Sequence, residues 1–370
     1  MKKIVIILPT YNEKGNITAL IEKIQEVASK LTDYQTNILV VDDSSPDGTS
    51  LSVQKIAKKY SNIKLILGKK NGLGAAYVRG MRYAVRNMQA DIFFEMDADF
   101  SHDPQLIPDF IKKIEQGADF VIGSRYIKGG SIPSQWGIER KLFSVFGNLI
   151  ARFGLMILKV KDWTSGYRAI KREVFKQVDD GLDKYTGYTF QIAFLHRVIQ
   201  KGFRVAEVPL QFIDRKYGKS KFIPSEYIVN SLLYILLNSS FIKFVIVGTI
   251  GFVIQTIIAK ILISFNTHPG LSVGIGAEAA IISNFTLNQN WTFSHKKIIG
   301  KKSIIKKFLQ FNSTSVGAIL IQGIAVTIGT NIFGKNTWFI FMVLSIIFLV
   351  IPYSYFIYHN FIWREPKKVN

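Results

Sequence analysis

Apolar positions along the chain follow two regimes. Up to about residue 122, short β-branched runs alternate with stretches of helical spacing. Residues 4–8, 36–41, 63–67, 92–96 and 120–122 predict buried strands, and residues 17–30, 49–59, 75–87 and 104–116 predict helices with one apolar face. Strands alternating with helices imply βαβ units and a mostly parallel sheet. Ligands of such sheets bind beyond the carboxyl ends of the strands, and the acidic and Gly-rich segments fall at those ends here. The first apolar run stops at Pro9 after five residues, which reads as a strand and not as a signal-peptide core.

Beyond residue 240 the pattern changes. Residues 244–265, 271–293, 311–333 and 338–362 are apolar over lengths that cross a bilayer core of about 30 Å. The second is the most polar, with Glu278, Asn284, Asn288 and Gln289. Six lysines lie in residues 295–307, and Arg364, Lys367 and Lys368 follow the last span, whereas the two other connections share one lysine. The positive-inside rule then places both termini and the N-terminal domain in the cytoplasm. Trp291, Tyr358 and Trp363 fit an interfacial aromatic belt. The expected organisation is α/β over residues 1–222, an amphipathic interface helix or linker over 223–240, and an all-α membrane domain of four transmembrane helices over 241–370.

Charge sharpens this division. The 370 residues include 47 Lys and Arg against 26 Asp and Glu, a net charge of +21. From residue 241 onward the counts are 12 and 2, against 35 and 24 before it. Such a balance favours anionic partners. No zinc-ligand pattern, aromatic RNA-binding signature or basic heptad region accompanies it, so lipid headgroups and phosphates are expected and nucleic acid is not. The chain has no cysteine, which removes disulfides and thiolate metal sites.

The strand at 92–96 runs into Asp97-Ala98-Asp99, so two carboxylates stand at its carboxyl end. Hard oxygen ligands of this kind suit Mg²⁺ or Mn²⁺, which also takes diphosphate oxygens and neutralises charge on a leaving nucleoside diphosphate. Pro9-Thr10-Tyr11-Asn12-Glu13 follows the first strand: Pro9 is expected to end the ladder, Asn12 to cap the next helix, and Tyr11 to offer a flat face to a base. The second strand ends in Val40-Val41-Asp42-Asp43-Ser44-Ser45-Pro46-Asp47-Gly48-Thr49, whose carboxylates are placed to accept hydrogen bonds from a base or ribose, or to punctuate a strand-to-helix turn. Asn71-Gly72-Leu73-Gly74 is a tight turn that either approaches phosphate or is architectural.

Taken together, Pro9–Glu13, 41–49, 71–75, 97–104 and 123–126 resemble the family-2 glycosyltransferases of the GT-A fold. Asp162-Trp163-Thr164-Ser165-Gly166-Tyr167-Arg168, Glu207-Val208-Pro209 and the basic segment 215–221 are most similar to dolichyl-phosphate mannose synthases and related polyprenyl-phosphate glycosyltransferases. The resemblance implies donor contacts at Pro9, Tyr11, Glu13, Val40, Asp42, Ala98 and Arg125, with Lys184, Arg215 and Lys221 on the donor phosphates. It implies metal at Asp97 and Asp99, and Ser101 stands where some relatives place a glutamine near the metal. Asp97, Asp99 and Arg125 are the implied catalytic residues. Ala193 stands where many relatives carry an acid.

Residues 139–158 have Arg140, Lys141, Ser144 and Arg152 amid large apolar side chains, an amphipathic helix suited to a membrane surface. By resemblance, Arg140 and Ser144, one turn apart, bind the acceptor's phosphate. The membrane spans resemble the GtrA-like domain through Phe241-Ile242-Lys243-Phe244, Asn284-Phe285 and Trp291-Thr292-Phe293. Lys260 and Glu278 inside them are either functional or a structural pair. A phosphate acceptor is already anionic and needs no general base, in keeping with the cationic surplus. The expected reaction moves mannose from GDP-mannose to dolichyl or polyprenyl phosphate with inversion. Glucose from UDP-glucose is the alternative; a processive polysaccharide synthase and a non-enzymatic lipid-linked-sugar translocator are the rivals.

Overall fold

A computed structural model describes residues 1–214, 224–334 and 337–363. The chain divides into two compact units, Met1–Leu236 and Leu237–Asn370.

The first unit is built on β1 (Lys2–Thr10), α1 (Ile17–Ala28), β2 (Tyr34–Asp42), α2 (Thr49–Ala57), β3 (Ile63–Leu67), α3 (Leu73–Asn87), β4 (Ile92–Glu95), α4 (Ile107–Glu115) and β5 (Phe120–Ser124). Then come α5 (Ile138–Gly154), β6 (Arg168–Lys171), α6 (Arg172–Val178), α7 (Gly187–Gln200), β7 (Val205–Pro209) and α8 (Pro224–Asn238). The seven strands form one sheet in the order β3-β2-β1-β4-β6-β5-β7. All pairings are parallel except those of β6, which runs antiparallel between β4 and β5.

Alternate strand residues feed opposite cores, as the two-residue period requires. Val5, Ile7, Leu39, Val41 and Phe93 pack with α3 and α7, whereas Ile4, Ile6, Leu8, Ile38, Val40 and Phe94 pack with α1, α2 and α4. A sheet covered on both faces explains why its central strands read as near-continuous apolar runs.

Two local expectations are corrected. Pro9 does not end the ladder: β1 continues through Pro9↔Val41 to Thr10↔Asp42. Pairing with β4 stops at Ile7↔Glu95, where Ile7 O accepts from Met96 N. Pro9 faces that same side one register further on, where no ladder bond asks for its missing N–H. Nor does Asn12 cap a helix. It lies in the left-handed region at φ 58°, and α1 begins only at Ile17 behind Asn16.

Gly74 packs tightly in its turn. A Cβ there would lie 2.4 Å from the Tyr185 carbonyl oxygen and 2.7 Å from the Phe190 ring, so α3 meets the segment before α7 through this residue. Gly74→Ala should therefore lower stability by about 1–3 kcal/mol through overpacking. Thermal unfolding of the solubilised full chain checks this, and an unchanged midpoint would contradict it.

The second unit begins with α9 (Ser240–Ser264), capped by the Ser239 hydroxyl accepting from Ile242 N, and α10 (Pro269–Leu287). Then follow a π-helical turn at Asn288–Thr292, α11 (Lys301–Phe333), α12 (Trp338–Ser345) and α13 (Ile351–Ile357), with π-helical turns after both α12 and α13. Among the described residues three helices are long and apolar enough to cross a membrane: Ser240–Ser264, Lys301–Phe333 and Val343–Ile362. The second expected span corresponds to α10, which is shorter than 271–293 because the π turn follows it.

Helices α9 and α10 approach closely through small residues. Gly251 sits where a Cβ would strike the Asn284 amide, and Gly276 lies against the Gln255 backbone. Gln289 has a structural task, accepting from Trp363 Nε1 at 2.7 Å and donating to Ile298 O at 2.7 Å. No ion pair joins Lys260 to Glu278 among the described residues.

Candidate active site

The loops after β1, β2, β4 and β5 meet at the carboxyl end of the sheet. The acidic turn after β4 is held from both sides. Tyr77 on α3 donates its hydroxyl to Asp97 Oδ1 at 2.9 Å. Burial pushes the Tyr77 phenol well above its usual range, and the nearby Asp97 carboxylate adds to this, so it remains a donor. His102 Nδ1 accepts from the Asp97 backbone N–H at 3.0 Å, which puts the ring proton on Nε2, 3.8 Å from Asp97 Oδ2. The His102 ring is buried and stacked on Tyr167 at 4.9 Å. Asp99 Oδ1 accepts from Ser101 N at 3.0 Å, and Ser101 itself is buried.

Asp97 and Asp99 put two carboxylates on this turn. No group of three or more His, Cys, Asp or Glu residues capable of holding a metal occurs among the described residues. That composition fits a divalent cation of the Mg²⁺ or Mn²⁺ kind, which takes one or two carboxylates and completes its shell from water and substrate phosphate. It does not fit an all-protein cage.

Beneath Asp97 lies a polar core contributed by three elements. Glu95 (β4), Arg168 (β6) and Gln191 (α7) are all buried. Arg168 Nε stands 3.9 Å from Glu95 Oε2 and donates to Ser165 O, while Nη2 donates to Trp163 O and Gln191 O. Burial pushes the Glu95 carboxyl up to about 8 against the opposing pull of the Arg168 charge. Gly166 lies over this group: a Cβ there would be 3.4 Å from Gln191 Nε2 and 3.8 Å from Asp97 Oδ2.

Arg125, at the end of β5, enters a buried ion pair with Asp162. Nε and Nη2 both donate at 2.8 Å, and Nη2 also reaches Thr164 Oγ1 at 2.7 Å. The guanidinium faces the rings of Tyr126 and Phe212 at 5.4 and 5.7 Å. Burial opposes the charge on Asp162, but the Arg125 guanidinium holds the carboxyl below the ordinary range.

Asp42 is fully buried. Thr10 Oγ1 and Ser45 Oγ donate to its Oδ1, and Ser50 Oγ and Ser45 N donate to its Oδ2. Burial works against its charge, yet the Ser45, Ser50 and Thr10 bonds keep the pKa below the usual carboxylate value. Both oxygens are thus committed to tying the first loop to the second. Neighbouring Asp43 pairs with Arg79. Across the gap, Asn12 N donates to Ser45 Oγ, Glu13 N to Thr49 Oγ1 and Lys14 N to Asp47 Oδ2. Glu13 Oε2 accepts from Asn16 Nδ2, and the Lys70 ammonium sits 3.8 Å from the Tyr11 ring centroid, over one face of the ring.

The remaining expected residues are more dispersed. Val40 is buried in β2, and Ala98 is buried between the two carboxylates. Lys184 is exposed beside Gly181. Ala193 is a core residue of α7. On α5, Arg140 pairs with Asp214 at 3.2 Å and lies 3.9 Å over the Trp136 ring, while Ser144 Oγ meets the Tyr126 hydroxyl at 2.6 Å. Arg215 and Lys221 lie outside the described residues. Tyr77, His102, Asp162 and the Glu95–Arg168–Gln191 group were not singled out individually from the sequence. The Asp162–Arg168 motif was the available signal, though its spacing says nothing about partners.

Comparison with known proteins gives two family matches: Glycosyl transferase family 2 over residues 5–179, and the GtrA/DPMS transmembrane domain over residues 243–363. A dolichol-phosphate mannosyltransferase of Pyrococcus furiosus is 32% identical over 328 residues, covering 86% of this chain and 88% of that protein. A polyprenol monophosphomannose synthase of Mycolicibacterium smegmatis is 37% identical over 222 residues, 60% of this chain and 81% of that protein. An undecaprenyl-phosphate mannosyltransferase of Micrococcus luteus is 34% identical over 232 residues, 62% and 92% of the two chains. Among solved structures, glucosyl-3-phosphoglycerate synthase from Mycobacterium tuberculosis aligns with a TM-score of 0.45 and 21% identity, over 64% of this chain and 78% of that one. The second unit makes this a multi-pass membrane protein. With both domains matched and a relative aligned along most of both lengths, the chain belongs to the family-2 glycosyltransferases, in the branch that joins a polyprenyl-phosphate sugar transferase to a GtrA/DPMS transmembrane domain.

Proposed function

We propose that the chain transfers mannose from GDP-mannose to a polyprenyl phosphate such as dolichyl phosphate, with inversion, to give a β-linked mannosyl phosphate lipid. The observation that carries this reading is the Asp97/Asp99 pair at the end of β4, in a chain whose similarity to a named dolichol-phosphate mannosyltransferase runs through both domains. A Mg²⁺ or Mn²⁺ held by Asp97 and Asp99 supplies Lewis-acid neutralisation of the leaving diphosphate. Ser101 is a further candidate ligand.

An oxygen of the lipid phosphate attacks C1 of the sugar, the C1–O bond to the diphosphate breaks, and GDP leaves. No proton is removed in this step, so no base is needed, and α7 carries none of the acids that hydroxyl acceptors demand. The protein's task is positional: cations bring two anions together and offset their repulsion. Arg125, Lys184, Arg215 and Lys221 are assigned to the donor side, with Pro9, Tyr11, Glu13, Val40, Asp42 and Ala98 shaping the nucleotide site. Arg140 and Ser144 are assigned to the acceptor phosphate. Exposed Leu142, Phe143, Phe146, Ile150 and Phe153 support α5 lying against the bilayer surface. The domain boundaries at 222 and 240 and a cytoplasmic catalytic domain with both termini on that side follow from hydropathy and loop charge.

Membranes containing the full chain should convert radiolabelled GDP-mannose and dolichyl phosphate into a mannosyl phosphate lipid, and EDTA should abolish the product. A preference for UDP-glucose would overturn the donor assignment, and an α-linked product the stereochemistry. Arg140→Ala should raise KM for the lipid phosphate roughly tenfold or more, the value of one charged hydrogen bond, with KM for GDP-mannose nearly unchanged. Equal change in both constants would remove Arg140 from the acceptor side.

A further inference from the structure

The second unit carries a groove of about 780 Å³ along the outer face of α11, walled on its far side by α13 and the π turn that follows. None of its lining residues is among those assigned above to the donor, the acceptor or the metal. On α11, Lys302, Lys306, Gln310 and Thr314 recur every fourth residue and so form one polar stripe down the helix. Ile305 and Leu309 flank the stripe, and Ile357 and Phe361 face it.

Among the described residues no ion pair involves Lys302 or Lys306. Both lysines are exposed, as is Gln310. Lys307 donates to Phe361 O at 2.6 Å, fastening α11 to the opposite wall. The Thr314 and Ser313 hydroxyls donate back to Phe311 O and Leu309 O. The exposed Gln310 amide is a donor that a guest can reach below the lysines.

We infer that this groove binds one acidic diacyl phospholipid, with its phosphate at Lys302 and Lys306, its glycerol-ester region at Gln310 and its chains along Ile305, Leu309, Ile357 and Phe361. Charge complementarity selects an acidic lipid, since each cation near the membrane surface favours an anionic headgroup. The depth of Gln310 selects the diacyl class. It lies one turn, about 6 Å, further along the helix than Lys306. In a glycerophospholipid the ester carbonyls occupy that level and accept from an amide. In a polyprenyl phosphate hydrocarbon begins directly below the phosphate, which would leave the amide facing apolar chain. The inference is independent of the sugar donor.

Native mass spectrometry of the delipidated full chain, titrated with phosphatidylglycerol, phosphatidylcholine and a polyprenyl phosphate, tests it. Phosphatidylglycerol should bind about 30-fold more tightly than phosphatidylcholine, the combined effect of two lysines. Lys302→Gln/Lys306→Gln should reduce it to the phosphatidylcholine level, and Gln310→Leu should narrow its advantage over polyprenyl phosphate. Equal binding of the acidic and neutral lipids, phosphatidylglycerol binding that survives the double substitution, or displacement of phosphatidylglycerol by equimolar polyprenyl phosphate would each overturn the proposal. The comparison of lipids on the unsubstituted protein stands even where a variant fails to fold.

Discussion

Asp99→Ala should lower the rate of sugar transfer by about 10³-fold or more while leaving the protein folded. The magnitude follows from removing one of the two carboxylates proposed to hold a divalent cation, which would be worth several kcal/mol of charge stabilisation at the leaving diphosphate. Asp99 accepts from Ser101 N within the acidic turn and belongs to neither apolar core, so the sheet and both cores should survive its substitution. The effect should fall on turnover and on metal binding together. Mn²⁺ titrations followed by electron paramagnetic resonance in the presence of GDP should show tight uptake by the unsubstituted protein and little by the variant. Ser101→Ala preserves the backbone bond to Asp99 and should change the rate far less. A variant at Asp99 that keeps activity within tenfold, with undiminished Mn²⁺ uptake, would remove the metal role from this pair.

The architecture was legible where local pattern and burial coincide. Strands β1 to β5 are apolar runs bounded by turns, and their alternation with helices gave the mostly parallel sheet. Strands β6 and β7 escaped because neither is an apolar run. The first has four residues and begins with Arg168, a charged side chain buried in the centre of the domain. Its guanidinium is tolerated because three backbone carbonyls accept from it, and these partners become adjacent only after folding. Such a residue gives no hydropathy signal.

The site divides in the same way. Asp97 and Asp99 could be read because they directly follow a buried strand. Asp42 was readable as an acid at a strand end, but its hydroxyl partners on both loops commit its oxygens within the protein. Tyr11 was readable as an aromatic at the site, yet the lysine over its ring comes from a different loop. Asn12 misled because a polar residue ahead of an apolar helix normally signals a cap, and here the chain needs four more residues of loop first. In the membrane unit, Gln289 looked like a blemish in a span. Its role emerges from Trp363, 74 residues away.

Asp162→Ala should destabilise the catalytic unit by about 3–5 kcal/mol, the effect of leaving a buried charge without its partner. The Asp162 carboxylate gathers Arg125 N, Nε and Nη2 together with Thr164 N and Ser165 N, and its own N–H donates to Glu207 Oε1 on β7. One side chain thereby joins the end of β5 to the segment entering β6. Removal strands the Arg125 guanidinium, buried between Tyr126 and Phe212, and releases several backbone donors at once. The dependence on pH has a definite sign. The folded pKa of Asp162 is depressed below its unfolded value of about 3.9. The stability it contributes is therefore fully present above that value and is lost as pH falls through the folded pKa. Asp162→Asn, which keeps the shape and loses the charge, should be less stable than the unsubstituted protein near pH 7, and the difference should shrink below about pH 4. Thermal unfolding of the solubilised full chain across this range measures both effects. A gap between the two proteins that stays constant down to pH 3 would show that shape at this position, and not the ion pair, holds Arg125 in place.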